Sequence, residues 1–129
     1  MKRIFITAVA LIALVTPALA DSAEGIWQTE VDDGSFAYVT IAACDGAYCG
    51  TISRIFRNGV EEFQSENIGR QILINMVAAG DGSYKGKAWR PSNNKVYIGK
   101  MSVAGDALVL KGCLARGLIC VGQDWVRIE

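Results

Sequence analysis

The sequence contains no histidine. This absence excludes a Ser-His-Asp or Cys-His catalytic arrangement and a histidine-based metal site, since each needs an imidazole that titrates or binds metal near neutral pH. Paired carboxylates, Glu61 with Glu62 or Asp106 with Asp124, are the remaining candidates for acid–base chemistry. Each pair falls in a turn or on a strand face expected to be solvated. We therefore predict that the protein is not an enzyme and has no catalytic residue.

A surplus of positive charge is also missing. The 13 Lys and Arg residues are matched by 13 Asp and Glu residues, and two of the basic residues, Lys2 and Arg3, precede an N-terminal apolar run. Nucleic acid binding depends on clustered cations, so this balance argues against it. The sequence also has no basic block, amphipathic helix or phosphate-cradling glycine loop. We predict no nucleic acid partner, no stable membrane insertion and no cofactor.

The long apolar run of the sequence, Ile4–Val15, lies at the N-terminus. It is followed by Ala18-Leu19-Ala20, which fits the small-residue cleavage rule of a signal peptide. The run is short for a transmembrane helix, which needs about 20 residues; an uncleaved signal anchor is the alternative. We predict that residues 1–20 are a cleaved signal peptide and that the protein is periplasmic or secreted. Residues 21–129 then form a single domain.

Four cysteines follow that segment: Cys44, Cys49, Cys113 and Cys120. In an oxidising compartment an even number of cysteines indicates disulfides, and three pairings are open. We predict the local pairs Cys44–Cys49 and Cys113–Cys120, because each pair flanks a turn. Zinc sites favour Cys-x₂₋₄-Cys spacing, which the second pair does not fit, so no metal site is predicted.

Eight short runs rich in β-branched and aromatic residues are separated by turn signals, mostly at hairpin spacing. The runs are Gly25–Glu30, Phe36–Ala43, Cys49–Phe56, Gln71–Ala79, Tyr84–Trp89, Lys95–Val103, Ala107–Cys113 and Cys120–Ile128. Asp-Gly dipeptides between several runs supply the positive φ that hairpin turns need. A longer segment, Arg57–Arg70, is the predicted connection. This rhythm predicts an all-β fold, an eight-stranded antiparallel barrel with meander topology, and a β-sandwich is the alternative.

Gly25-x-Trp27 opens the first run, and Arg127 lies near the end of the last one. In a closed barrel the first and last strands are neighbours, so the indole can seal one end while the guanidinium lies over its face. This pattern resembles that of lipocalins and the wider calycin group. We predict that Trp27 and Arg127 serve the structure rather than contact a ligand.

Further motifs extend along residues 21–129. They are Gly25-x-Trp27, the turn Cys44–Gly50, Trp89 with Pro91, Lys95 and Tyr97, Gly112-Cys113, and Cys120-x₄-Trp125-x-Arg127. In their order the chain resembles a family of small secreted bacterial proteins, the domain-of-unknown-function 2147 family. The resemblance implies a lipocalin-like barrel and a role in binding a small apolar molecule, and it implies no established activity.

Strand parity guides the choice of ligand-binding residues, because alternate residues of a strand share one face. Apolar and aromatic faces with a few polar groups suit a small-molecule cavity, and a packed barrel core is the alternative for the same residues. Trp89 adjoins the least regular turn, which predicts a position at the mouth. The predicted ligand-binding residues are Tyr38, Met76, Trp89, Tyr97 and Met101.

Two functions fit these expectations. The first is an exported protein that binds or carries a small apolar, lipid-like ligand without covalent chemistry. The second is a protein-interaction module, such as an inhibitor of an envelope or extracellular enzyme, that presents Arg57–Arg70 to a protein partner.

Overall fold

Alternating apolar residues and tight turns give this chain an almost entirely β structure. The computed structural model describes residues 22–129, and the predicted signal peptide lies outside them. The strands are β1 Gly25–Gln28, β2 Ser35–Cys44, β3 Ala47–Arg57, β4 Val60–Glu61, β5 Gln71–Gly80, β6 Ser83–Arg90, β7 Lys95–Ala104, β8 Ala107–Leu114 and β9 Ile119–Arg127. A short 3-10 turn, Ala115–Gly117, joins β8 to β9.

Eight of these strands form one closed antiparallel sheet. Each pairs with its neighbours in the order β2, β1, β9, β8, β7, β6, β5, β3, and β3 pairs back with β2. The two-residue strand β4 lies outside this ring and folds back on the end of β3. The closed pairing confirms the predicted eight-stranded meander barrel, and the sandwich alternative is wrong.

Two-residue turns set the register of the hairpins. Asp45 and Gly46 have φ of 47° and 79°, and Asp81 and Gly82 have φ of 53° and 73°. Positive φ at both central residues matches the right-handed twist of the flanking strands, and Asp-Gly adopts it at low cost. The predicted Asp-Gly turns therefore lie where the strands reverse.

One end of the barrel is sealed by Trp27, which is fully buried on β1. The guanidinium of Arg127 lies over the indole with 4.3 Å between its carbon and the ring centroid. It also donates hydrogen bonds to the carbonyl oxygens of Glu24 at 2.7 Å, Ser22 at 2.8 Å and Gly105 at 3.2 Å. The structure thus brings Trp27 and Arg127 together as a structural pair.

The half of the barrel next to Trp27 is densely packed. Trp125, Leu73 and Met76 are almost completely buried there, as are Leu108 and Met101. Large inward side chains occupy this half, which leaves little room for a ligand. The remaining space of the barrel lies toward its other end.

The four cysteines form the two predicted disulfides, Cys44–Cys49 and Cys113–Cys120. The first spans the turn between β2 and β3. In the second, the two cysteines are direct register partners on β8 and β9. Each disulfide therefore fixes the register of one hairpin.

The contacts of Arg127 predict a large effect of shortening its polar end. The Arg127→Met variant keeps the apolar stem but leaves three backbone oxygens without their hydrogen-bond donor. We therefore expect the free energy of unfolding to fall by roughly 1–3 kcal/mol. Urea denaturation followed by tryptophan fluorescence measures it. The matched control is Arg54→Met, because Arg54 forms a half-exposed ion pair with Glu61. A loss no greater than that of the control would contradict the role of Arg127.

The disulfides predict a second effect on stability. A double Cys113→Ala, Cys120→Ala variant should lose about 2 kcal/mol of stability, because the cross-link closes a short loop in the unfolded chain. Urea denaturation under non-reducing conditions tests this, with the Cys44→Ala, Cys49→Ala variant for comparison. Unchanged stability of both variants would show that the hairpin turns alone fix the register.

Candidate functional site

A cavity of about 500 Å³ opens at the end of the barrel opposite Trp27. Its wall is lined by residues of seven strands, β2, β3 and β5 to β9, and its rim is formed by the β1–β2 loop, the connection from β3 to β5 and the β6–β7 turn. Ile52, Ile55, Ile72 and Leu110 make the wall apolar. A volume of this size lies within the range of small-molecule binding sites.

The cavity exists because inward residues become smaller along the strands. On β2 the inward positions change from Ile41 near the sealed end to Ala37 near the mouth, and on β6 they change from Tyr84 to Ala88. On β8 the change is from Leu108 to Gly112. The same strands therefore supply a filled half and a hollow half.

Two of the predicted ligand-binding residues, Trp89 and Tyr97, line the cavity. The structure does not bring the other three to it. Met76 and Met101 are almost fully buried in the packed half. Tyr38 lies on the outer face of β2, where its ring is 5.0 Å from that of Phe56. Its neighbours Ala37 and Val39 take the inward positions.

Trp89 is held at the mouth by polar contacts. Its indole nitrogen donates to the side-chain oxygen of Asn94 at 2.9 Å, and the guanidinium of Arg70 lies 3.7 Å from the ring centroid. Arg70 ends the long connection from β3, whose backbone is tied to β3 through Ile52. Trp89 thus links two loops of the rim.

An ion pair crosses the mouth of the cavity. Arg90 at the end of β6 donates two hydrogen bonds of 2.8 Å to the carboxylate of Asp32 in the β1–β2 loop. Ser92 donates a third at 3.2 Å. Hydrogen bonding to Arg90 is the largest of the effects that hold the pKa of Asp32 below its usual range, and the hydrogen bond from Ser92 adds to it. The same ion pair raises the pKa of Arg90. The sequence did not predict this pair, because its members lie 58 residues apart and no local pattern links them.

A few polar groups face the apolar wall. The side-chain oxygen of Gln123 accepts a hydrogen bond of 3.0 Å from the indole nitrogen of Trp125. The hydroxyl of Ser35 is buried and has no hydrogen-bond partner among the described residues. Cavities that combine apolar walls with a few such groups can orient a ligand.

One side of the mouth is an exposed apolar lip on the β8–β9 hairpin, formed by Leu114, Leu118, Ile119 and Val121. Leu118 is 86 % exposed and Val121 is 75 % exposed. Within residues 22–129, β9 pairs with β1 only at Trp27–Arg127 and Gln28–Val126, whereas it pairs with β8 throughout. The apolar wall of the cavity therefore continues onto an open strand edge.

Residues 22–129 contain no group of three or more cysteine or acidic side chains that could hold a metal ion. No helix in this part of the chain has the length and hydropathy to cross a membrane.

The comparisons with known proteins agree with this architecture. The family model described as an uncharacterized protein conserved in bacteria, DUF2147, matches residues 25–127. The chain belongs to the DUF2147 family. No curated protein matches the sequence. Among solved structures, this DUF2147 chain is similar to protein HP1028 of Helicobacter pylori, described as belonging to the lipocalin family, with a TM-score of 0.66, 17 % identity and 84 % of each chain covered. At this identity the likeness shows the lipocalin-like fold.

The ion pair across the mouth predicts a pH-dependent contribution to stability. Asp32→Asn should lose up to about 1 kcal/mol at pH 7, since partly exposed pairs contribute little. The folded-state pKa of Asp32 is lowered, so the contribution is present above its unfolded pKa and disappears as the pH falls through the folded pKa. Urea denaturation at pH 7 and in strong acid measures the difference, with Asp124→Asn as control. A difference between Asp32→Asn and the wild type that does not change with pH would contradict the assignment.

Proposed function

We propose that the protein binds and carries a small apolar, lipid-like molecule in the cavity at the open end of the barrel, without covalent chemistry. The observation that carries the proposal is the hollow half of a barrel whose other half is filled and sealed. An eight-stranded barrel is just wide enough to hold one small ligand when its interior is not filled by side chains. Here the small residues Ala37, Ala88 and Gly112 leave that space.

Burial of apolar surface supplies the driving force for such a ligand. Each Å² of apolar surface removed from water contributes roughly 25 cal/mol, and the wall offers Ile52, Ile55, Ile72 and Leu110 for that contact. Since the barrel wall is one hydrogen-bonded sheet, the site is largely formed before binding, which reduces the entropy lost on association. A carrier function needs no catalytic group.

The cysteines support a location outside the cytoplasm. Two disulfides support a protein of the periplasm or the extracellular medium, because such bonds persist in oxidising compartments. The proposal includes export by the N-terminal segment. Native mass spectrometry and lipid extraction of protein purified from its own compartment test for a bound molecule. Recovery of mass-homogeneous, ligand-free protein together with no binding of apolar probes would contradict the proposal.

Filling the cavity should prevent binding. Gly112 faces the cavity, and a β-carbon added there would lie 3.4 Å from the side chain of Tyr97, which is an ordinary contact. In Gly112→Leu the rest of the side chain enters the cavity, and we expect the affinity for an apolar fluorescent probe to fall about tenfold or more. The matched control is Ala42→Leu, because Ala42 is exposed on the outer face of β2 and does not line the cavity. Equal affinities of the two variants would contradict the location of the site.

A protein-interaction module remains the second candidate, favoured by Phe63. This residue is 76 % exposed on the connection between β3 and β5, close to the exposed Val60. Large exposed apolar side chains on a loop can anchor a protein partner. A complex with an envelope or extracellular enzyme, detected by size-exclusion chromatography, should be lost in Phe63→Ser while binding of apolar probes is retained.

A further inference from the structure

Arg90 is placed between the apolar cavity and the solvent. It is the last residue of β6 and lies on the same face of the strand as Ala88. Ala88 faces the interior and is the register partner of Tyr97. Arg90 lines the mouth of the cavity together with Ser92 and Tyr97. Its guanidinium is about half exposed, with 47 % of the side chain accessible. This cation of the rim is therefore accessible to a molecule that enters the cavity.

The present partner of Arg90 is a carboxylate in a two-bond geometry. Both oxygens of Asp32 accept a hydrogen bond of 2.8 Å, one from Nε and one from a terminal nitrogen of the guanidinium. A guanidinium presents parallel N–H groups that match any carboxylate in this way. Asp32 thus occupies the position that a carboxylate from outside the chain would take.

The β1–β2 loop does not depend on this ion pair for its shape. Asp32 and Ser35 exchange two backbone hydrogen bonds of 2.8 and 3.1 Å around the turn. Thr29 is bonded to Ala37 through its backbone and its hydroxyl, both at 2.9 Å. Because the loop is fixed by its own bonds and the ion pair is partly solvated, the pair can open without unfolding the rim.

Other donors surround the same position. The Ser92 hydroxyl bonds to the Asp32 carboxylate at 3.2 Å, and the side-chain amide of Asn93 holds the Tyr97 hydroxyl at 2.7 Å. The buried Ser35 hydroxyl faces the same cavity without a partner among residues 22–129. Of the other described cations near the rim, Arg70 covers Trp89, and Arg57 makes a longer contact of 3.3 Å with Glu62. Among residues 22–129, Arg90 is the rim cation that already holds a carboxylate through two hydrogen bonds, which is the geometry that a carboxylate ligand would use.

We propose that Arg90 binds the carboxylate of a long-chain monocarboxylic acid whose hydrocarbon tail fills the cavity, and that this carboxylate replaces that of Asp32. The inference rests on the proposed function and adds the chemical class of the ligand. The apolar wall of Ile52, Ile72 and Leu110 takes the tail, and the rim takes the head group. Asp32 returns to Arg90 when the ligand leaves, so Arg90 has a carboxylate partner in both states, while Asp32 faces solvent in the bound state.

Paired probes separate the head-group contact from the tail contact. The fluorescent acid cis-parinaric acid and its methyl ester share one tail, and only the acid carries the charge. The wild-type protein should bind the acid more tightly than the ester. Arg90→Gln should lower the affinity for the acid about tenfold and leave that for the ester unchanged. Asp32→Asn should raise the affinity for the acid several-fold, because Arg90 then has no competing carboxylate.

The control is Arg54→Gln, which removes the same charge from the outer face, where Arg54 pairs with Tyr38 in register. It should leave both affinities unchanged, and the ester affinity of Arg90→Gln shows whether that variant is folded. Equal binding of acid and ester to the wild-type protein, unaffected by Arg90→Gln, would overturn the assignment of Arg90 while the proposed function stands. If neither probe binds, the assignment of Arg90 and the proposed binding of long-chain amphiphiles are both wrong.

Discussion

The contact between Arg127 and Trp27 determines how the barrel closes. β1 and β9 share two register pairs, and Ile26 adds backbone hydrogen bonds with Ile128 and Glu129 beyond the end of β9. The Arg127 guanidinium adds hydrogen bonds to backbone oxygens of Ser22, Glu24 and Gly105 while it covers the indole. A single side chain thus connects the segment before β1, the β7–β8 turn and the last strand.

Sealing one end allows the other end to stay hollow. The buried residues near Trp27, among them Leu73, Met76 and Trp125, concentrate the apolar burial in one half of the barrel. Small residues near the mouth, such as Ala88 and Gly112, give up part of that burial, which costs stability locally. The disulfide Cys113–Cys120 lies on the hairpin that borders the hollow half. It supports the register where packing is weakest.

The sequence predicted the strands, the turns, both disulfides and the Trp27–Arg127 contact, because each depends on local pattern or on the neighbourhood of first and last strands. It predicted the candidate site only in part. Parity tells which residues share a face but neither which face is inside nor how high a residue lies along the barrel. Tyr38, predicted to bind the ligand, therefore lies on the outer face. Met101 shares a strand face with Tyr97 but lies deeper in the barrel. The Asp32–Arg90 pair depends on the curvature of the closed sheet, which no local pattern records.

The mouth has two chemically different sides, and this difference would give the proposed amphiphilic ligand its direction. Charged groups, Asp32 and Arg90, lie on the side of the β1–β2 loop and the β6–β7 turn. The apolar lip with Leu118 and Val121 lies on the β8–β9 hairpin, whose edge is open next to the short β1. A hydrocarbon tail can move along the lip into the cavity without crossing a polar barrier, whereas a charged head group is stabilised only at the rim. For the proposed ligand, a tail-first orientation would follow from the short length of β1, which leaves the edge open, and from the end of β6 at an arginine.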